Sequence, residues 1–513
     1  MADNNSTPKR IVKNTAFLYA KMAITMFVSL YTTRLILGSL GVSDFGIFNV
    51  VGGAIAMLGF LNSAMASASM RFMAYTEGEN NLLKKQQVFN ISIVLHFILA
   101  FVVAIILVGA GYFFFNGVLN ITQDRMDAAI IVYGSLIVST MLTIMNVPYD
   151  AVMNAHENML YYSIVGILES LLKLGVAFAC VYTVYDKLIV YGVLMACIPL
   201  ITLTIMKLYC HKQYEECIIA PIRFFDKKIL KDMTSFAGWN FFSSFAALVS
   251  GHGSNIVLNS FFGTTLNAAN GVTGQINGQL QVFGNNLLKA LNPVIVKKEG
   301  EHDRDAVLKY AFTGAKMTVC MYVLFAIPLV IDRDFILLLW LKTVPPYTSE
   351  FVKYIIVWTF FSQIAGTLGT SIAATGKIKQ YSILSSCVLL FNIVLLCVAF
   401  SLGAAPESFM VLSCLTGFGQ TIIIIYYCKK YCNLKVKNYL NDVVLRVFVS
   451  IFITYMIVYF VWNMMGIGVY RLILTCGFSF LLYSVLFYYF TLSSLEKCLI
   501  KNLFAVCLSK ICR

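Results

Sequence analysis

The residues of chemical interest in this chain are amides and cations set among apolar runs. Between Leu266 and Pro293, at helical spacing, Asn267, Asn270, Gly274, Asn277, Gln281 and Asn285 fall on one arc, bordered by Lys289. Amide side chains carry donors and acceptors that match sugar hydroxyls, and they are costly to leave bare in an apolar medium. Either the wall of a polar cavity or a polar seam between helices accounts for the pattern.

A charge at the centre of a membrane helix costs ~2.5–3.5 kcal/mol on insertion scales, so each one calls for a role. Near the N-terminus Asn14, Lys21, Thr25 and Thr32 lie within about 40° of one another on a helix. That stripe fits a cavity wall, helix–helix hydrogen bonding, or snorkelling of Lys21. Arg34 points to the opposite side. Glu169 and Lys173 form an i, i+4 pair with the acid first, either a structural ion pair or part of a cavity lining. Trp239, Asn240 and His252 share one further segment; His252 is read as a packed residue or a coupling group. Asp150, following Asn146-Val147-Pro148-Tyr149, closes a helix where a gate partner could sit. Asp332-Arg333-Asp334 imitates a DxD metal motif but falls in an external connection, away from any nucleotide-sugar donor. Neither a Walker A loop nor a nucleophile–His–acid arrangement is present, so the chain does not read as an enzyme, and no cofactor is expected.

The elements that carry these residues are membrane helices. The 513 residues are 59% hydrophobic and 12% charged, with a mean hydropathy of +0.80, where soluble domains average ~25% charged. Runs long enough to cross a bilayer are expected at 12–37, 45–70, 88–114, 128–153, 160–183, 188–210, 234–261, 266–292, 307–331, 349–375, 381–402, 408–428, 444–465 and 470–492. The fold class is thus an all-α integral membrane protein of about fourteen spans, leaving no room for a large soluble domain. The polar opening MADNNSTPKR lacks a cleavage site, so the first helix is expected to be retained. With both termini inside, 27 of the 38 lysines and arginines fall on cytoplasmic ends, six (Arg125, Lys187, Arg333, Lys342, Lys353, Arg471) outside, and five (Lys21, Arg34, Lys173, Lys289, Lys316) within spans. The net charge of +14 is therefore topological, with a share for anionic lipid headgroups, and nucleic acid is not needed to explain it. The fourteen cysteines read as reduced apolar fillers, Cys428 and Cys432 being the closest pair.

The stretch 211–233, ending RFFDKKILKDM, reads as a cytoplasmic amphipathic interfacial helix joining a bundle over 1–210 to a second over 234–430. Residues 431–513 add two more helices and a basic tail. A shift of 222 places lays Gly41 on Gly263, Val50 on Val272, Ala68 on Ala290 and Glu77-Gly78-Glu79 on Glu299-Gly300-Glu301, the sign of two pseudo-repeated six-helix bundles.

Asn14, Tyr31–Arg34, Leu40-Gly41 and Asp44-Phe45-Gly46-Ile47-Phe48-Asn49 resemble the opening of the polysaccharide (O-antigen type) flippases. These belong to the multidrug/oligosaccharidyl-lipid/polysaccharide exporter superfamily. FGTTLNAANGV (262–272) is similar to that family's equivalent turn, and DFILLLWLKTVPPYTSEFVKY to its tryptophan–proline element. The resemblance implies two bundles in a V and alternating access in a bacterial inner membrane. It also implies export of an undecaprenyl-diphosphate-linked oligosaccharide, for lipopolysaccharide or another surface polysaccharide, with a coupling ion (H+ or Na+) and polysaccharide-assembly partners. Fourteen spans look more like the peptidoglycan-precursor flippases, where the last two helices line a lipid groove. A cation-coupled multidrug exporter of the same fold remains the alternative, though membrane carboxylates suit it better than a basic interior. A polysaccharide polymerase or ligase needs a long external loop with catalytic Arg or His, and the connection at 332–348 has Arg333 and no His.

Overall fold

The computed structural model describes residues 6–56, 58–118, 123–341, 344–494, 496 and 497, which form helices and no strand. Among the described residues twelve helices are long and apolar enough to cross a membrane, which makes this a multi-pass membrane protein. The chain divides into two compact units, one of Lys13–Phe241 and one of Met1–Val12 with Phe242–Arg513.

In the first unit α1 (Ser6–Ala56) breaks at Gly41, where φ 78° and ψ 171° fall in a region open essentially to glycine alone. The span expected at 45–70 is shared by the piece after Gly41 and by α2 (Gly59–Gly78). Gly52, Gly53 and Gly59 weaken the helix around that join. α3 (Leu82–Phe113), α4 (Met126–Ala155), α5 (Met159–Tyr182) and α6 (Lys187–Gln213) follow. Val51, Ala100, Val103, Leu107, Val132 and Leu188 pack together as this unit's core, with α4 contributing its small and β-branched face.

In the second unit α7 (Lys227–Phe262), which straddles the division, is separated from α8 (Thr264–Gly300) by Gly263 at φ 76° and ψ −173°. α9 (Arg304–Ile331) is the most enclosed helix. α10 (Arg333–Leu341), α11 (Thr348–Ala374), α12 (Lys379–Ser401), α13 (Ser408–Cys432) and the short α14 (Val436–Tyr439) lead to α15 (Arg446–Asn463) and α16 (Val469–Leu486). Both of these last helices pack on α9.

Local backbone signatures recur at the same 222-residue shift that Gly41 and Gly263 obey. Asn80 (φ 53°) precedes Asn81, which caps α3 by accepting from the Lys84 N–H; His302 (φ 60°) precedes Asp303, which caps α9 by accepting from the Ala306 N–H. The Cys210 thiol reaches the Tyr149 carbonyl at 4.0 Å, and the Cys432 thiol reaches the Ser371 carbonyl at 3.5 Å.

The linker differs from expectation. Residues 214–226 form no helix; they run as a strap of turns until Asp226 caps α7 by accepting from the N–H groups of Lys228 and Ile229. The cause is competition from fixed partners. Asn90 of α3 donates to the Ile218 carbonyl and accepts from the Ala220 N–H, both at 2.8 Å, taking backbone groups that a helix would use internally. Pro221 removes another donor.

Arg471, counted in an external connection, is instead 7% exposed in the first turn of α16 and bonds Asp332. Lys316 lies within α9, inside a span as expected, and bonds Glu496 at 3.0 Å.

Candidate functional site: polar interiors of the two units

In the first unit the stripe on α1 faces inward. Asn14 and Thr32 are buried, and Lys21 and Thr25 half-buried, while Ile24, Phe27 and Leu30 are exposed. Asn14 donates to the Glu157 carbonyl at 2.9 Å, which ties α1 to the α4–α5 turn. Lys21 is placed differently. Its ammonium sits 4.2 Å from the centroid of the Tyr162 ring, and its outer carbons occupy the space left by Gly166. A Cβ on Gly166 would come within 2.2 Å of Lys21 Cε and 2.4 Å of Nζ. Tyr162 is hydrogen-bonded to Lys21 and lies within electrostatic reach of Asp150 and Glu169. Among the described residues no carboxylate stands at ion-pair distance from Lys21. The ammonium is held by an aromatic face and a hydroxyl.

Asp150 lies half-buried beside Asn146, with Pro148 interrupting the α4 hydrogen-bond ladder between them. Glu169 and Lys173 bond at 2.7 Å, with 43% and 42% of their side chains exposed. They lie across α5 from its exposed apolar stripe of Leu160, Ile164, Leu171 and Phe178. An open polar face opposite an apolar one is what a helix with lipid on one side and water on the other presents. The hydroxyls of Thr32 and Ser163 are buried there without a hydrogen-bond partner. Arg34 is exposed, away from this cluster. Trp239 is half-buried on α7, and its neighbour Asn240 donates weakly to Ser67 on α2 at 3.4 Å.

In the second unit the amides of α8 divide. Asn270 donates to Asn255 of α7 at 2.5 Å, and Asn277 accepts from the Thr359 hydroxyl of α11 at 2.5 Å, so both make seams. Asn267 has a buried amide oxygen without a partner, and Gln281 and Lys289 are half-buried. Gln275 and Gln279 are exposed. Gly284 lets Gln363 approach so closely that a Cβ would fall 2.3 Å from its Oε1. His252 is exposed, whereas Ser254 nearby has a buried hydroxyl without a partner. Thus Lys21, Asp150, Glu169 and Lys173 converge in one unit, while Asn270, Asn277, Gln281 and Lys289 share α8 in the other.

Several ionic groups escaped sequence reading because their partners lie far along the chain. Arg125 holds both Asp44 and Asp186, bonding Asp186 at 2.6 Å, and so pins three connections at one end of the first unit. The Arg125 pairing and the α6 backbone N–H groups hold the Asp186 carboxyl below its usual range against the opposing effect of burial. At the other end, which carries the basic residues, His156 Nε2 meets Glu216 at 2.5 Å and Nδ1 lies 3.7 Å from Glu77, itself bonded to Lys85. Burial pushes the Glu216 carboxyl up, but the His156 hydrogen bond and charge outweigh it and hold the group below the carboxylate range. Asp332 and Arg471 bond at 2.5 Å with side chains 1% and 8% exposed, so the acid of the DxD look-alike is committed to an ion pair. Arg333 and Asp334 both engage Ser349. Among the described residues no group of three metal-type ligands occurs.

Comparison with known proteins places this architecture. No known protein-family profile matches the chain, and no curated protein matches it. Among solved structures it is similar to an outward-facing multidrug resistance MATE family transporter of the MOP superfamily, with a TM-score of 0.72 at 13% identity over 83% of this chain and 96% of that one. A MATE protein in the bent conformation is similar at 0.72 and 14% identity, over 85% and 98%. A MOP superfamily transporter from Pyrococcus furiosus Vc1, for which a reversed binding-pocket polarity suggests a different function, is similar at 0.69 and 12% identity, over 83% and 96%. The chain therefore shares the fold of these transporters.

Proposed function

We propose that the chain flips a lipid-linked oligosaccharide, an undecaprenyl-diphosphate-bound sugar, to the external leaflet of a bacterial inner membrane by alternating access during surface polysaccharide synthesis. The observation that carries this reading is Lys21, an interior ammonium cradled by Tyr162 and Gly166 without a carboxylate at ion-pair distance among the described residues. A cation so placed has attraction left for a diphosphate, whereas a site for cationic drugs would present free acid. Moving a diphosphate outward from a negative interior releases ~2.3 kcal/mol per charge per 100 mV, provided no co-ion cancels it.

The same reading treats α8 and the broken helix after Gly41 as spans thirteen and fourteen in number. The first is rich in amides and the second is split between residues 42–56 and α2, yet a 37-residue helix such as α8 is about 55 Å long, ample for a ~30 Å hydrocarbon core. The 222-residue recurrences then mark two six-helix repeats, with α15 and α16 appended and both termini cytoplasmic.

The multidrug exporter is the second reading, favoured by the names of the similar structures and by Asp150 and Glu169 within electrostatic reach of Tyr162. Depletion separates them. A flippase leaves lipid-linked sugar accumulating on the cytoplasmic leaflet, and Lys21→Ala fails to clear it while remaining abundant in the membrane. Unchanged lipid-linked sugar together with raised retention of a cationic dye would overturn the flippase in favour of the exporter.

A further inference from the structure

The strap at 214–226 ends in a surface that neither unit's core uses. Ile222 is 96% exposed, Phe225 58% and Ile218 50%, with Ile219 beside them. Arg223, Lys227 and Lys228 are exposed among these residues. The two lysines stand in the first turn of α7, which has no acidic residue. Asp226, the α7 cap, offsets one of these charges, so Arg223, Lys227 and Lys228 leave the patch with a net positive charge at the positive end of a helix dipole, where a further anion is favourable. The strap is also held rigidly from behind. Asn90, 1% exposed, bonds both sides of its backbone, Gln86 donates to the Glu215 carbonyl, and Glu216 is fixed by His156. Its outward side chains are thus presented, not left trailing.

We propose that this strap is a membrane-surface anchor that inserts Ile218, Ile219, Ile222 and Phe225 into the interfacial layer of the leaflet at the basic end and binds anionic phospholipid headgroups through Arg223, Lys227 and Lys228. Charge complementarity selects the occupant. Three cations interleaved with four large apolar side chains match a negatively charged surface with a hydrocarbon layer beneath it. A zwitterionic surface would leave the cations without counterions, and an apolar protein groove would bury them. The inference rests on the chain being membrane-embedded, and not on what the interior sites carry.

The test uses the full chain in lipid nanodiscs, with a photo-crosslinking amino acid at position 222 and a reference probe at position 105, where Ile105 is exposed on α3. Discs contain phosphatidylcholine alone or with a minor share of phosphatidylglycerol, and adducts are identified by mass. The expected result is lipid adducts at both positions, with phosphatidylglycerol enriched over its bulk share about fivefold or more at 222 only. The triple variant R223Q/K227Q/K228Q should abolish the enrichment and leave the reference adducts unchanged. Adducts at 105 but none at 222, or enrichment that survives the triple variant, would overturn the proposal. Protein–protein adducts at 222 in place of lipid would assign the surface to a protein partner instead.

Discussion

Replacing Arg471 by Leu should expose what binds α15 and α16 to α9. In the native chain its guanidinium bonds Asp332 at 2.5 Å and lies 4.6 Å from the Trp462 ring, while the Trp462 indole N–H donates to Asp332 at 3.2 Å. Leu removes the counter-charge and leaves a carboxylate, 1% exposed, with the indole N–H as its remaining side-chain partner. Breaking one half of a buried pair costs ~3–5 kcal/mol, because the surviving charge is desolvated without compensation. Loss of the cation–π contact adds ~0.5–2 kcal/mol. Asp332→Leu strands Arg471 in the same way and should be comparably harmful. The double Leu variant, with neither charge, should recover most of the loss, since apolar replacement of a whole buried pair is close to neutral or better. Thermal unfolding of the four purified proteins in one detergent gives the cycle directly. The reasoning fails if either single variant melts with the parent, or if the double variant is as unstable as the two losses combined.

Gly166→Ala should displace Lys21 from Tyr162 and match Lys21→Ala in transport, at a melting temperature near the parent, because the atom that yields is the end of a flexible side chain; retained transport would remove Lys21 from the site. The contact forfeited, about 0.5–2 kcal/mol, corresponds to roughly 2- to 30-fold weaker binding. Asn270→Leu and Asn277→Leu should each lower the melting temperature slightly, each losing an interhelical hydrogen bond worth ~0.6 kcal/mol, whereas Gln281→Leu should reduce transport alone. Leu at Gln275 or Gln279 should be mild by both measures, and equal effects at all five positions would dismiss the arc. For pH, Glu216 and Glu496 are both held below the carboxylate range in the folded chain, Glu496 because the Ser493 N–H and Lys316 outweigh burial. Their stabilisation is present above the unfolded carboxylate value of ~4.3 and is lost as pH falls through the lower folded values. Thermal stability should therefore drop below about pH 4, and Glu496→Gln should flatten part of that drop.

The sequence discloses what local spacing controls. Twelve of the fourteen expected apolar runs coincide with long apolar helices, and the inward stripe of Asn14, Lys21, Thr25 and Thr32 and the Glu169–Lys173 pair, which follow from 3.6-residue periodicity, lie on helix faces. It does not disclose which distant residue completes a local pattern. Asn90 holds the start of the linker out of helix by bonding Ile218 and Ala220, 128 and 130 positions away, so that of RFFDKKILKDM only the part from Lys227 on is helical, as the first turns of α7. Tyr162 gives no signal among the many tyrosines, and only the packing of α1 on α5 turns it into the seat of Lys21. Arg471 looks like a connection residue until its partner, 139 positions earlier, is seen.

The division of labour among the interior polar groups follows from how each is satisfied. Asn14, Asn270 and Asn277 spend their amides on partners within their own unit, and such bonds hold helices together at membrane depth, where a lost partner has no water to replace it. The Glu169–Lys173 pair satisfies itself, so its half-exposed position costs little and its charges cancel at a distance. Lys21 is the exception. The Tyr162 ring and hydroxyl offset only part of the cost of an interior ammonium, and no carboxylate among the described residues stands at ion-pair distance to offset the rest. A group in that state keeps electrostatic attraction to spare, which is why the proposed carriage is assigned to Lys21 and not to the amides or the ion pair, whose polar groups are already matched.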